Sequence, residues 1–202
     1  PGAVNRSQGM SVSDRVLFRR MVAVAATEAV PLTESLGLGR TALERLLHKY
    51  LPESPPPAPL GSDPGEDALE EPDLRGLLLE FRAGRGEDED WLAAIVARRS
   101  QRANHLWQDL GLASRDELKT LFQRHFPELA RLNRSDMKWK KFFYRQLCER
   151  EGIPVCKAPN CGVCSDAAQC FAPETGEPLA ALAGLSRMGR GVSDSRQSAG
   201  AG

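Results

Sequence analysis

The sequence predicts an all-α protein, a small helical domain that ends in a C-terminal cysteine-rich metal-cluster loop. Three observations lead there. Apolar residues recur three and four apart in one segment after another, no run alternates polar and apolar residues between hairpin turns, and all five cysteines fall between positions 148 and 170. A chain of 202 residues, 41% hydrophobic and 27% charged, lies in the globular range and can bury one core but hardly two.

Residues 1–12 read as a disordered leader and 13–51 as N-terminal helices. Met21 to Val30 is the most apolar stretch and follows Arg19 and Arg20, as in a signal peptide. Glu28 inside it, and the helical spacing of Val16, Leu17, Met21, Val24 and Ala25, argue instead for a buried helix. Thr41 and Glu44 stand in the capping-box relation ahead of a stripe of Leu43, Leu46, Leu47 and Tyr50, which Pro52 ends. Residues 52–72 contain Pro55, Pro56, Pro57, Pro59 and Pro64; prolines deny backbone donors, so an extended, solvated linker is expected to join the N-terminal helices loosely to the rest.

Residues 73–152 are the expected helical core. Leu74, Leu77, Leu78 and Phe81 mark one helix ending near Gly84, and Asp88 to Arg102 another, with Trp91, Ile95 and Val96 on one face. Ser114 and Glu117 form a second capping box, before Leu118, Leu121 and Phe122. Asp136 is placed to cap a helix carrying Trp139, Phe143 and Leu147, which Gly152 stops. Residues 153–174 form the cysteine-rich loop, and 175–202, rich in Gly, Ala, Ser and Arg, a disordered tail.

Lys plus Arg and Asp plus Glu each total 27, so nothing in the overall charge draws the chain to nucleic acid or an anionic membrane. No apolar run approaches the ~18–20 residues that span a bilayer. An odd number of cysteines without an export signal points to a reducing cytoplasm and metal-bound thiolates. Gly-rich phosphate loops, G-x-S-x-G elbows and H-E-x-x-H motifs are lacking, so no catalytic turnover is expected.

Cys156, Cys161, Cys164 and Cys170 read C-x4-C-x2-C-x5-C, four soft ligands that converge if the chain curls around one centre. Pro154, Pro159, Gly162 and Pro173 suit such a loop, whose shape would come from the metal because it has almost no apolar core. Close cysteine spacing favours an iron-sulfur cluster. Structural zinc, which usually joins two short-spaced pairs through a longer spacer, and redox-reactive thiols are the alternatives. Cys148 lies outside the pattern on a helix and reads as a small buried hydrophobe, with a spare ligand as the sharper alternative. His105 reads as a packing residue rather than a ligand, and His48 and His125 as cations near helix ends.

The run Asp136-Met-Lys-Trp-Lys-Lys-Phe-Phe-Tyr-Arg-Gln-Leu-Cys148, followed by Gly152 and the four cysteines up to Phe171, resembles the NifQ family of nitrogen-fixation accessory proteins. Asn104-His-Leu-Trp-Gln-Asp-Leu-Gly-Leu112, Phe126-Pro127 and Asn133 extend the resemblance over roughly Trp91 to Glu174. It implies an iron-sulfur protein that carries molybdenum in a mixed molybdenum-iron-sulfur cluster and donates it for synthesis of the nitrogenase iron-molybdenum cofactor. Ligation then falls to Cys156, Cys161, Cys164 and Cys170. The implied partners are the nitrogenase cofactor assembly scaffold, the nitrogenase reductase, and molybdate or a molybdenum-sulfur species. Lys138, Lys140, Lys141, Arg145 and Arg150 make the last helix basic, either as a solvated face or as a field for molybdate or an acidic partner. A zinc-stapled interaction module and an iron-sulfur electron-transfer protein are the competing readings.

Overall fold

The computed structural model describes residues 12–153 and 161–179; the expected leader up to residue 11, Cys156 and the tail beyond 179 lie outside the described residues. Among the described residues there are helices and no strand. In chain order they are α1 (Asp14–Ala25), α2 (Leu32–Leu36), α3 (Arg40–Tyr50), α4 (Glu71–Glu80), α5 (Glu87–Ser100), α6 (Leu106–Asp109), α7 (Arg115–His125), α8 (Pro127–Leu132), α9 (Trp139–Arg150) and α10 (Ala167–Phe171), with a 3-10 turn at Cys161–Val163. The chain is all-α, as its periodicity predicts.

Helix α5 is the axis. Its first turn is acidic, Glu87 to Asp90, and its last turn holds Arg98 and Arg99, both matched to the helix dipole. The sequence suggests one apolar face, yet every residue from Trp91 to Arg99 is buried. Ala93, Ala94 and Ala97 make this possible, because their small side chains let neighbouring helices approach on the faces that lack Trp91 and Ile95. α2, α3, α4 and α6 all pack on α5.

Two aromatic clusters lie within the same core. Phe18 of α1 stacks on Tyr50 of α3 at 4.5 Å between ring centroids, and both meet Trp91 edge-on. Phe122 of α7 stacks on Trp139 of α9 at 4.0 Å, with Phe126, Phe142 and Phe143 around them. One continuous set of buried residues runs from Leu17 to Phe143, so the N-terminal helices share the core with the rest.

That finding corrects the expectation of a loose proline linker. Prolines remove donors but keep acceptors, and the first turn of α2 has amides that need them. Leu32 N donates to Pro59 O at 2.8 Å and Thr33 N to Leu60 O at 3.0 Å. Ala58 and Leu60 pack on the core. Arg98 completes the attachment: its Nε donates to Glu71 Oε1 at 2.7 Å, and its Nη1 donates to Glu34 O at 2.7 Å and Pro64 O at 2.9 Å.

Local signals are also revised. α1 ends at Ala25, before Glu28, which lies in the following turn and binds arginines rather than sitting in a helix. α3 starts at Arg40 after Gly39, so Thr41 is inside the helix and Glu44 pairs with Arg40 instead of closing a capping box. Asp136 takes a left-handed backbone conformation (φ 54°) and α9 begins after Lys138, so Asp136 does not cap it. Ser114 does cap α7, accepting from Glu117 N at 3.3 Å, while the Glu117 carboxylate accepts from Ala113 N.

Two outcomes test this arrangement. Gly61 has φ +78°, and a Cβ there would lie 2.3 Å from Thr33 Oγ1 and 2.7 Å from Pro31 Cβ. Gly61→Ala should lower stability to urea by about 1–3 kcal/mol, whereas a free linker would leave it unchanged. At Asp14, burial raises the carboxyl pKa, but hydrogen bonds from His125 and Arg124 outweigh it and hold the group below its ordinary value. A depressed carboxylate stabilises the fold above its unfolded pKa of about 4 and loses that contribution as pH falls through the lower folded value. Urea midpoints measured from pH 6 downward should fall below about pH 4, and Asp14→Asn should flatten that fall.

Candidate metal centre

The cysteine arm is built from the end of α9. Gly152 stops that helix with φ 68°, and its neighbour Ile153 N caps back onto Cys148 O at 2.9 Å. The described chain resumes at Cys161 in the 3-10 turn, where Cys164 N donates to Cys161 O at 3.4 Å, and Ala167 N donates to Cys164 O at 3.2 Å. Cys170 rides on α10, and Cys161, Cys170 and Phe171 pack against the core. The arm therefore has helical structure and apolar anchorage of its own, where the sequence suggests a loop shaped by metal alone.

Its C-terminal flank is clamped to the helical body. Asn133 closes the preceding turn with paired bonds to Met137, its Nδ2 to the carbonyl and its Oδ1 from the amide, each at 2.9 Å. That turn presents Lys138 N, which donates to Cys170 O at 2.9 Å. Arg115 reaches across from α7: Nη1 lies 2.8 Å from Glu174 Oε2, and Nη2 donates to Asp136 O at 2.8 Å and Met137 O at 2.9 Å. The Glu174 side chain is only 4% exposed, which makes this a desolvated pair. Burial alone would lower the Arg115 pKa, but Glu174 and Asp136 raise it above its ordinary value and keep the guanidinium charged. His105 Nδ1 stands 3.4 Å from Glu174 Oε1, and Gln108 Nε2 donates to Glu177 O at 2.9 Å.

The predicted site residues divide accordingly. Cys161, Cys164 and Cys170 are half-buried free thiols on one short arm, and Cys156 lies outside the described residues. Among the described residues, no three Cys, His, Asp or Glu side chains close on one point as a metal set. Arg145 Nη1 lies 4.0 Å from Cys161 Sγ, a cationic neighbour to that sulfur. This donor set, soft sulfur with adjacent positive charge and no disulfide among the described cysteines, fits an iron-sulfur group chemically. Cys148 is half-buried on α9.

His105 precedes α6 as its N-cap residue and meets Glu174, rather than lying along an amphipathic helix. His125 is buried, 3.0 Å from Asp14 Oδ1 and 3.8 Å from Glu89 Oε1, and His48 is exposed in the last turn of α3. The basic helix is largely engaged: Lys140 binds Asp109, Arg145 binds Glu149, and Arg150 binds Glu80 and covers the Phe81 ring. Arg115, Gln108 and Glu174, which do the clamping, carry no spacing signal in the sequence.

Fold and site together define a class: all-helical proteins with a cysteine-bearing C-terminal arm clamped to one helical core. The chain belongs to the NifQ family, matched over residues 17–172. It is 40% identical over 173 residues to a "Protein NifQ homolog" of Sinorhizobium fredii, covering 80% of this chain and 71% of the relative. It is 41% identical to Protein NifQ of Azotobacter vinelandii, with 69% and 78% covered, and 41% identical to that of Rhodobacter capsulatus, with 71% and 79% covered. No solved structure matches. The family match begins at Leu17, well ahead of Trp91 where the resemblance in motifs starts, in keeping with a core that includes α1 to α3. The family is involved in nitrogen fixation and molybdenum metabolism.

Arg115→Ala should leave the buried Glu174 with only His105 beside it among the described residues, at a cost of up to about 3 kcal/mol by analogy with other broken buried pairs. Amide hydrogen exchange should then accelerate at the Cys170 to Glu177 segment and at Lys138, with α1 to α5 unchanged; uniform protection would show that the clamp carries no load.

Proposed function

We propose that this protein is a non-enzymatic carrier that holds molybdenum in a mixed molybdenum-iron-sulfur cluster and donates it for synthesis of the nitrogenase iron-molybdenum cofactor. Membership of the NifQ family supports the metabolic setting. The observation that carries the reading is the arm itself: three of the four motif thiols lie on a short segment fixed to the core on its C-terminal side, where Arg115 grips Glu174.

Cys156, Cys161, Cys164 and Cys170 would hold the cluster, whose sulfides supply a soft face for molybdenum. The chain's own residues do the rest. Arg145 stands beside Cys161 Sγ, where its charge would face an anionic cluster. Lys138 N and Arg115 fix where Cys170 stands, so a ligand is positioned before any metal arrives. Gly162 and Val163, between two of the thiols, are exposed, which leaves the centre within reach of an acceptor. The cofactor assembly scaffold and the nitrogenase reductase are the proposed partners, molybdate or a molybdenum-sulfur species the proposed source, and the cytoplasm the proposed compartment. No helix among the described residues is long and apolar enough to cross a membrane.

Anaerobic elemental analysis with visible absorption, on protein from iron- and molybdate-replete cells, tests the proposal. Iron and molybdenum with broad thiolate-to-iron absorption are expected; both should be lost when any of the four motif cysteines becomes serine and kept in Cys148→Ser. Colourless protein with stoichiometric zinc would overturn the carrier in favour of a zinc-stapled module. Iron without molybdenum, reversibly reduced, would overturn it in favour of electron transfer.

A further inference from the structure

The run Asn104 to Leu112 carries much of the family resemblance, yet apart from the outward reach of His105 and Gln108 to the arm the cysteine site does not use it. Part of it lines a cavity of about 330 Å³ at the C-terminal end of α5, whose walls include Glu28, Arg99, Arg102, Asn104, Asp109 and Leu179. We propose that this cavity receives a small tetrahedral oxyanion of the molybdate class, at a site separate from the cysteines. The choice of molybdate rests on the carrier reading; the oxyanion site rests on the cavity.

Charge and hydrogen bonding point there together. Glu28 accepts from Arg99 Nη1 and, at 2.5 Å, from Arg102 Nη2. Asp109 Oδ2 accepts from Lys140 Nζ at 2.6 Å, and Asp109 Oδ1 from Asn104 Nδ2 at 3.0 Å. Among the described residues, Arg99 and Arg102 of the wall face Glu28 and Asp109, and Lys140, reaching Asp109 from outside the wall, brings the cluster to three cations against two carboxylates. Arg99 is 3% exposed, and burial pushes its pKa down despite Glu28, the mark of a cation whose lost hydration is not fully replaced.

Donors also remain. Arg99 spends Nε on Asp109 O and Nη1 on Glu28 and Ser35; among the described residues nothing accepts from Arg99 Nη2, or from Arg102 Nε and Nη1. Guanidinium edges match the paired oxygens of a tetrahedral oxyanion, and Leu179 adds an apolar stretch of wall beside them. The negative end of α5 would oppose an anion, but Lys140 Nζ binds Arg102 O at 2.5 Å and offsets it. Leu179 follows the clamped Glu174 and Glu177, so an anion held here lies against the segment that leads back to Cys170. The sequence places an anion field on α9 at large; the geometry moves it to this cavity, with Lys140 as α9's contribution.

Equilibrium dialysis of the metal-free full chain against molybdate, sulfate and phosphate, in low salt, tests the inference. Saturable molybdate binding is expected, unchanged when all four motif cysteines are serine. Arg102, whose side chain is 39% exposed and outside the core, can be changed without unfolding the chain. Arg102→Gln should weaken binding by about tenfold or more, and Arg102→Lys should restore part of it. Equal affinity for sulfate would support the oxyanion site and overturn molybdate as its particular occupant. Binding that survives Arg102→Gln, or vanishes with the cysteines, would overturn the cavity as the site. The carrier reading fails by a different result, iron-loaded protein that retains no molybdenum.

Discussion

Arg98 and Arg99, adjacent on the last turn of a buried helix, are the constraint on which the rest of the structure depends. Side chains one residue apart on a helix diverge by about 100°, so two buried guanidiniums there must be satisfied by two different parts of the chain. Arg98 gathers Glu71, Glu34 and Pro64, which fixes α4, α2 and the proline segment. Arg99 gathers Glu28, Ser35 and Asp109, which fixes the turn after α1 and the short helix α6. Neither charge could remain in the core without these partners, because an unpaired buried cation costs several kcal/mol. The partners are scattered over more than eighty residues, from Glu28 to Asp109, so satisfying two side chains closes the topology of the N-terminal half.

The helical class and most of its long elements were legible because apolar spacing is a local signal. α1, α3, α4, α5, α7 and α9 each announce themselves that way. The short helices α2, α6, α8 and α10 do not, since four to six residues hold no full period. The proline segment misleads for a related reason. Composition says that it cannot donate; only the fold reveals that α2 needs its carbonyls. The caps at Thr41 and Asp136 are matched in residue type, but Gly39 and Lys138 sit at the actual helix starts, and the side chains find other partners.

At the candidate site, the sequence offered the cysteines as ligands but not the residues that support their arm. Four clustered cysteines suggest a metal centre through softness and spacing, whereas Arg115 and Glu174 are ordinary charged residues fifty-nine positions apart until the fold buries one beside the other. The same holds for the cavity. Arg99 and Arg102 look like a routine basic helix end, and their meaning depends on burial and on Glu28 arriving from another turn.

A carrier faces opposed demands, since the arm must be ordered enough to select its cargo and loose enough to release it. If the proposed carrier reading holds, the two demands fall on different parts of the arm. Order comes from the C-terminal flank, where Lys138 N holds Cys170 O and Arg115 holds Glu174 with its carboxylate desolvated. The thiols are treated differently: Cys161, Cys164 and Cys170 are only half-buried, with exposed Gly162 and Val163 between them. A centre wrapped on all sides by core would gain stability but would have to unfold for each delivery, at a cost comparable to the whole stability of a small domain, about 5–15 kcal/mol. On the proposed carrier reading, fixing one flank and leaving the thiol face near solvent would let transfer proceed through local opening of the arm while the helical core stays folded.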